Sequence, residues 1–314
     1  MLQFLSVWNP SEGLDLGFFM IRYYSLTYVI AFVLGWFIMK RFYTKDNVSM
    51  EKLDSLFIYM VLAILIGARL GHVIFYETEL IWNDPLSVIL PFKTVPEFEF
   101  TGFRGLASHG AAIAIVIALI MYNRKILKKP VLWIFDRVVI TVAIGGAFIR
   151  LGNFMNSEIV GKVSGDYPLG IKMLRHDIYP SEAVRATGIK NVTKAYDAIA
   201  NNPQFAEILA TVPDRHPTQL YEALGYVITF LACWFIYWKT PNKKYVGYIF
   251  GWFLILLFMT RFVVEFYKIA QVEERAELFL NTGQLLSIPF ILAGFYILWR
   301  SKKTVYTEDN TLAS

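Results

Sequence analysis

Charge and cysteine are what this sequence has least of. Of 314 residues, one is cysteine and 18% are charged, against roughly 25% charged in an ordinary soluble protein. A single cysteine excludes an internal disulfide and every disulfide-scaffolded secreted fold. So few charges cannot coat a globule of this length, and a hydrophobic content of 56% excludes a disordered chain. Before Phe18 there is no Lys or Arg, only Glu12 and Asp15, so the basic n-region of a removable signal peptide is missing. Internal repeats, heptads and low-complexity tracts are also absent. What remains is an integral membrane protein. Its net charge of +5 does not point to nucleic acid, because basic residues in such a chain mark cytoplasmic flanks.

A membrane-crossing helix needs about 20 mostly apolar residues. Seven runs qualify: Phe18–Met39, Leu56–Phe75, Ala107–Tyr122, Val131–Phe154, Gln219–Trp238, Val246–Phe266 and Leu285–Trp299, the last extended by Gly283 and Gln284. The expected fold is therefore an all-α polytopic membrane protein. Lys40, Arg41, Lys45 and Lys52 follow the first run, Arg124, Lys125, Lys128 and Lys129 the third, Lys239, Lys243 and Lys244 the fifth, and Arg300, Lys302 and Lys303 the last. The second connector is acidic, with Glu77, Glu79, Asp84, Glu97 and Glu99 against Lys93 and Arg104. This alternation places the N-terminus outside and the C-terminus in the cytoplasm. It requires an odd number of spans, which agrees with seven.

The expected organisation is four spans within 1–155, an extracytoplasmic head domain over 156–217, three spans within 218–300 and a cytoplasmic tail over 301–314. A connector as long as 156–217 is too long for a simple loop. It carries turn signals at Ser164-Gly165-Asp166 and Tyr179-Pro180 and a polar helical pattern near Lys194–Leu209.

Ionisable residues inside spans are expensive and mark function by default. Here they are Arg22, Arg69, His72, Arg150, Arg261 and Glu265, with His109 and Glu222 near span ends. Tyr24, Asn153, Asn156, Gln219, Tyr221 and Gln284 accompany them. With the orientation above, all fall toward the outer side, whereas Asp136 and Arg137 sit near the inner interface as structural anchors. A one-sided, arginine-rich cluster suits an anionic group, because the guanidinium fork donates paired hydrogen bonds to phosphate. A proton or ion pathway would thread both leaflets.

The segment Arg150-Leu-Gly-Asn153-Phe-Met-Asn156-Ser-Glu158-Ile-Val-Gly161 resembles the signature of the prolipoprotein diacylglyceryl transferase family. Arg22-Tyr23-Tyr24, Gly67-Ala68-Arg69-Leu70-Gly71, Ser108-His109-Gly110, His216-Pro217-Thr218-Gln219-Leu220-Tyr221-Glu222 and Arg261-Phe262-Val263-Val264-Glu265 match it too. Ile149 and Ala111 stand where the family usually has glycine. The resemblance implies a bacterial inner-membrane enzyme working at the outer face. It would move diacylglyceryl from phosphatidylglycerol to the lipobox cysteine of a prolipoprotein signal peptide, releasing glycerol phosphate.

The implied catalytic residues are His109, Arg150, Arg261 and Tyr24. The implied substrate-binding residues are Arg150, Asn153, Asn156, Glu158, Gly161, Glu265 and Arg69. His109 is the candidate base for the thiol, the two arginines stabilise the departing phosphate, and Glu158 and Glu265 orient them. No step calls for a metal or redox cofactor, and no Cys/His metal spacing is present. Partners are the two substrates and membrane lipid, with no nucleic acid.

Structural roles stand beside these. Arg69 fits a clamp on backbone carbonyls, Arg22 a snorkelling side chain, Tyr24 an interface-belt tyrosine, Glu222 and Gln219 packing polar groups, and Cys233 a core filler. The competing functions are a secondary transporter or a binding protein for an anionic solute or lipid.

Overall fold

The structure, a computed structural model, describes residues 6–17, 20–90, 92–94, 97–100, 105–269 and 280–305. Phe18 and Phe19, where the first span was expected to begin, Arg104, and the tail beyond 305 lie outside the described residues. In chain order the strands are β1 (Val7–Trp8), β2 (Gly13–Asp15), β3 (Met20–Arg22), β4 (Phe92–Lys93), β5 (Glu99–Phe100), β6 (Ile171–Met173) and β7 (Asp214–Arg215). The helices are α1 (Tyr23–Lys45), α2 (Met50–Tyr76), α3 (Leu80–Asn83), α4 (Ser108–Tyr122), α5 (Val131–Met155), α6 (Leu174–Asp177), α7 (Pro180–Thr187), α8 (Val192–Asn201), α9 (Ala206–Thr211), α10 (Thr218–Lys239), α11 (Tyr248–Val264) and α12 (Thr282–Ser301).

Seven of the helices, α1, α2, α4, α5, α10, α11 and α12, are long and apolar enough to cross a membrane, α4 continuing to Leu127 and α11 to Tyr267. The chain is an all-α polytopic membrane protein. Helix ends differ from the apolar runs because backbone hydrogen bonding carries a helix into its charged flanks. Thus α1 includes Lys40 and Arg41, and α2 starts six residues before Leu56. Arg22 is corrected outright: it closes the β2–β3 hairpin opposite Gly13 and is exposed, not within a span. The polar helical pattern near Lys194–Leu209 resolves into α8 and α9, broken by Pro203.

The chain divides into two compact units, one of residues 1–35 with 138–306 and one of 36–137 with 307–314. In the second unit, α2 and α4 pack backbone to backbone. A Cβ on Gly110 would lie 2.6 Å from the Gly71 Cα and 2.3 Å from the Gly67 carbonyl oxygen, the close approach that small residues permit between membrane helices. The Tyr43 and Tyr122 hydroxyls, 2.9 Å apart, and the Arg137–Asp46 pair at 2.9 Å hold its other end.

Arg69 donates from Nη2 to the Ser87 carbonyl at 2.8 Å and from Nε to the Val88 carbonyl at 3.2 Å. It thereby holds the connector that follows α2. That connector turns on Asp84, whose carboxylate accepts from the Ser87 hydroxyl, the Thr94 hydroxyl and the Thr94 backbone N–H. Those hydrogen bonds hold the Asp84 carboxyl well below the usual carboxylate range.

The segment between α5 and α10 belongs to the first unit. β6 pairs in parallel with the N-terminal β1 and antiparallel with β7. Helices α6 to α9 enclose a small core of Leu174, Ile178, Ala183, Ala195, Tyr196, Ile199 and Val212. Asn191 caps α8 by accepting from the Lys194 N–H. Phe258 of α11 stacks on Phe290 of α12 at 4.3 Å.

Candidate active site

The α5 C-terminus begins the site. Arg150 and Asn153 are one turn apart, and Arg150 donates from Nη1 to the Asn153 side-chain oxygen at 3.2 Å. The Arg150 Nε lies 2.9 Å from Oε2 of Glu222, a residue of α10 with 0% exposure. The other Glu222 oxygen accepts from Lys268 Nζ at 2.8 Å, and that ammonium stands 3.5 Å from Glu265 Oε2. Buried charges are costly unless paired, and each of these four faces an opposite charge. Tyr226, one turn beyond Glu222, reaches the Arg150 guanidinium and lies in the field of Arg261 as well.

Arg261 differs. Its Nε is buried and makes no hydrogen bond among the described residues. The sequence expectation that Glu265 orients it is not met, because the Glu265 carboxylate faces Lys268. Both pairings are open to Glu265 on a helical surface, and the lysine one turn on takes it. Arg150 and Lys268 are thus matched by Glu222 and Glu265, whereas the Arg261 Nε has no acceptor among the described residues.

Beyond α5 the signature becomes an irregular turn. Ser157 and Ile159 both take φ of +54°, a conformation costly for a β-branched residue and kept only where surroundings over-determine it. The surroundings are the next motif. Gln219 donates from Nε2 to the Glu158 carbonyl at 2.5 Å, and Thr218 from Oγ1 to the Ile159 carbonyl at 3.0 Å. The turn presents the exposed Glu158 carboxylate to Asn156 Nδ2 at 2.9 Å and Asn153 Nδ2 at 3.4 Å. Glu158 therefore holds the asparagines, and Glu222 rather than Glu158 pairs with Arg150. Gly161 donates its N–H to the His216 carbonyl at 3.1 Å. A Cβ there would lie 2.3 Å from that oxygen, so the signature ends in glycine to let two backbones meet.

Tyr24, in the first turn of α1, shares a hydrogen bond with the Tyr28 hydroxyl at 2.8 Å. His109 belongs to the other compact unit. It is exposed in the first turn of α4, its ring edge-on to Phe75 at 4.7 Å. Arg69 lies in that unit too, engaged with the Ser87 and Val88 carbonyls and 3.6 Å from Glu77.

Lys268 was not singled out from the sequence. The available signal was spacing: it lies seven residues after Arg261 and three after Glu265, although the chain has left the helix and is extended at Lys268. Replacing it with methionine leaves Glu222 and Glu265 buried without their shared cation. We expect destabilisation of about 3 kcal/mol, read as an earlier thermal transition in detergent, with Lys268→Arg restoring it. An unchanged transition for Lys268→Met would show that the lysine does not hold the carboxylates.

The fold and this cluster define a polytopic membrane protein that buries a network of arginine, lysine and glutamate side chains. The prolipoprotein diacylglyceryl transferase family profile matches residues 12–300. A phosphatidylglycerol–prolipoprotein diacylglyceryl transferase of Bacteroides fragilis is 36% identical over 303 residues, covering 95% of this chain and 96% of the relative. The enzymes of the same name from Tolumonas auensis and Porphyromonas gingivalis are each 33% identical, covering 94% and 92% of this chain and 97% and 91% of their own. The chain belongs to the prolipoprotein diacylglyceryl transferase family.

Proposed function

We propose that the protein transfers the diacylglyceryl group of phosphatidylglycerol to the lipobox cysteine of a prolipoprotein, in the bacterial cytoplasmic membrane. The observation that carries this reading is Arg261, a guanidinium with a buried, unpaired Nε beside a network whose other charges are matched. Such a group is ready for an anion that arrives from outside the protein, as a lipid phosphate does.

In the reaction the thiol loses its proton to a base and sulfur forms a bond to the glyceryl methylene. The carbon–oxygen bond to phosphate breaks, its electron pair going to the departing glycerol phosphate. A free thiol has a pKa near about 8.5, so a base is needed, and we assign it to His109. Negative charge grows on the leaving phosphate, and Arg261 with Arg150 opposes it from fixed positions. Asn153, Asn156 and Tyr24 supply neutral donors for glycerol or phosphate oxygens. Purified protein given phosphatidylglycerol and a lipobox peptide should yield peptide heavier by one diacylglyceryl group. Peptide of unchanged mass, with folded protein, would overturn the proposal.

We place the N-terminus and the cluster on the outer side, supported by the basic connectors after α1, α4 and α10. The exposed Thr44 tests this, because Tyr43 beside it is fully buried. Thr44→Cys should resist a membrane-impermeant thiol reagent in intact cells and react after permeabilisation. Reaction in intact cells would reverse the orientation.

A further inference from the structure

The signature turn has a third support besides Thr218 and Gln219, and it comes from the N-terminus. Helix α5 ends at Met155, and its last carbonyls have no partner within the helix. The Gly152 and Asn153 carbonyls accept from the N–H groups of Asn156 and Glu158, and the Phe154 carbonyl accepts from that of Ser157 at 3.1 Å. The Phe154 carbonyl takes a second bond, from the Trp8 indole Nε1 at 2.8 Å. The Trp8 ring also stacks on the Phe154 ring, centroids 4.2 Å apart and planes 26° off parallel.

Trp8 is itself fixed. It sits in β1 opposite Met173 of β6, against the small core of Phe154, Val160, Ile171 and Met173. Its neighbour Asn9 accepts from Arg175 Nε at 2.8 Å and donates to Asp197 at 2.8 Å. One short strand thus ties the 171–197 segment to Phe154, the residue after Asn153.

We infer that Trp8 is a positioning residue of the transferase. It fixes the carbonyl at which the helix gives way to the turn carrying Ser157 and Ile159 in the left-handed region, and so sets where Asn153, Asn156 and Glu158 stand. A turn in that conformation relaxes unless held. A displacement of about 1 Å in a polar constellation costs on the order of a hundredfold in rate. The indole supplies two separable things, a donor and a stacking face. Phenylalanine keeps the face and removes the donor. No group of Trp8 is assigned contact with substrate.

The inference rests on the transferase reading, and the experiment keeps the two apart. Thioether formation is followed for wild type, Trp8→Phe, Glu158→Gln and the double variant, each with its thermal transition. Trp8→Phe should lower kcat about fivefold to twentyfold, with little change in KM for phosphatidylglycerol and a transition within a few degrees of wild type, the scale of one lost hydrogen bond to a fixed group. In the Glu158→Gln background the same change should cost less than twofold further, because both substitutions loosen the same turn. Wild-type kcat in Trp8→Phe would overturn the inference, as would losses that multiply in the double variant or that follow the unfolded fraction. Absence of product from the wild type would instead overturn the functional reading.

Discussion

Arg261→Ala is expected to lower kcat/KM by about a hundredfold to a thousandfold while the thermal transition stays where it is or rises. The activity loss is the scale of removing one preorganised donor, about 3–4 kcal/mol, from a dry site where charge develops. The stability expectation has a different source. Within the described residues the Arg261 Nε is buried and bonds to nothing, so truncating the side chain removes a desolvation cost and breaks no hydrogen bond at that atom. A structural arginine behaves in the opposite way, losing stability first and activity in proportion. The test is initial rate against phosphatidylglycerol concentration, alongside a melt in the same detergent. Near-normal turnover would mean that the phosphate is held elsewhere.

Arg150→Ala is the second large effect, and its signature is mixed. The guanidinium bridges Glu222 at 2.9 Å and Asn153 at 3.2 Å, so the variant loses a leaving-group donor and the orientation of Asn153 together. We expect kcat/KM to fall by at least about a hundredfold. The fold should survive, because Lys268 remains 2.8 Å from the other Glu222 oxygen and the carboxylate keeps a counter-charge. Arg150→Lys should recover little, since a single ammonium cannot meet the carboxylate and the amide in the fork geometry. Full recovery by lysine would reduce the role of Arg150 to charge alone. Glu222→Gln offers the contrast: it leaves Arg150 and Lys268 facing each other without their anion, and stability should fall with activity.

Much of the fold was legible because membrane helices announce themselves. Seven apolar runs became seven long helices, and the errors lie at their ends. There, charged flanks such as Lys40 and Arg41 join the helix without changing the backbone hydrogen bonding. Arg22 was misplaced because a hairpin pairing with Gly13 has no period that a hydropathy scan can see.

At the site, residue types were legible and partners were not. Arg150 and Glu222 are far apart in the chain, and no spacing rule joins them. The i,i+4 relation of Arg261 and Glu265 permitted a pair, but Lys268 one turn on claimed the carboxylate. Trp8 and Phe154 meet through parallel pairing of β1 with β6, a contact fixed by tertiary packing rather than by local pattern. His216-Pro217-Thr218-Gln219 matches the family pattern in sequence, with Gln219 legible only as a packing polar group. Its hydroxyl and amide turn out to hold the Glu158 and Ile159 carbonyls.

The central claim is that the cationic cluster serves departure of a phosphate monoester when a thiol attacks. Its most direct measurement is glycerol phosphate released from phosphatidylglycerol by the purified protein, quantified beside modified peptide, with lipobox peptides bearing cysteine or serine. The account predicts one glycerol phosphate per thioether with the cysteine peptide, none above background with the serine peptide, and loss of both products together in Arg261→Ala. Release of glycerol phosphate without modified peptide, or equal release with cysteine and serine peptides, would contradict it.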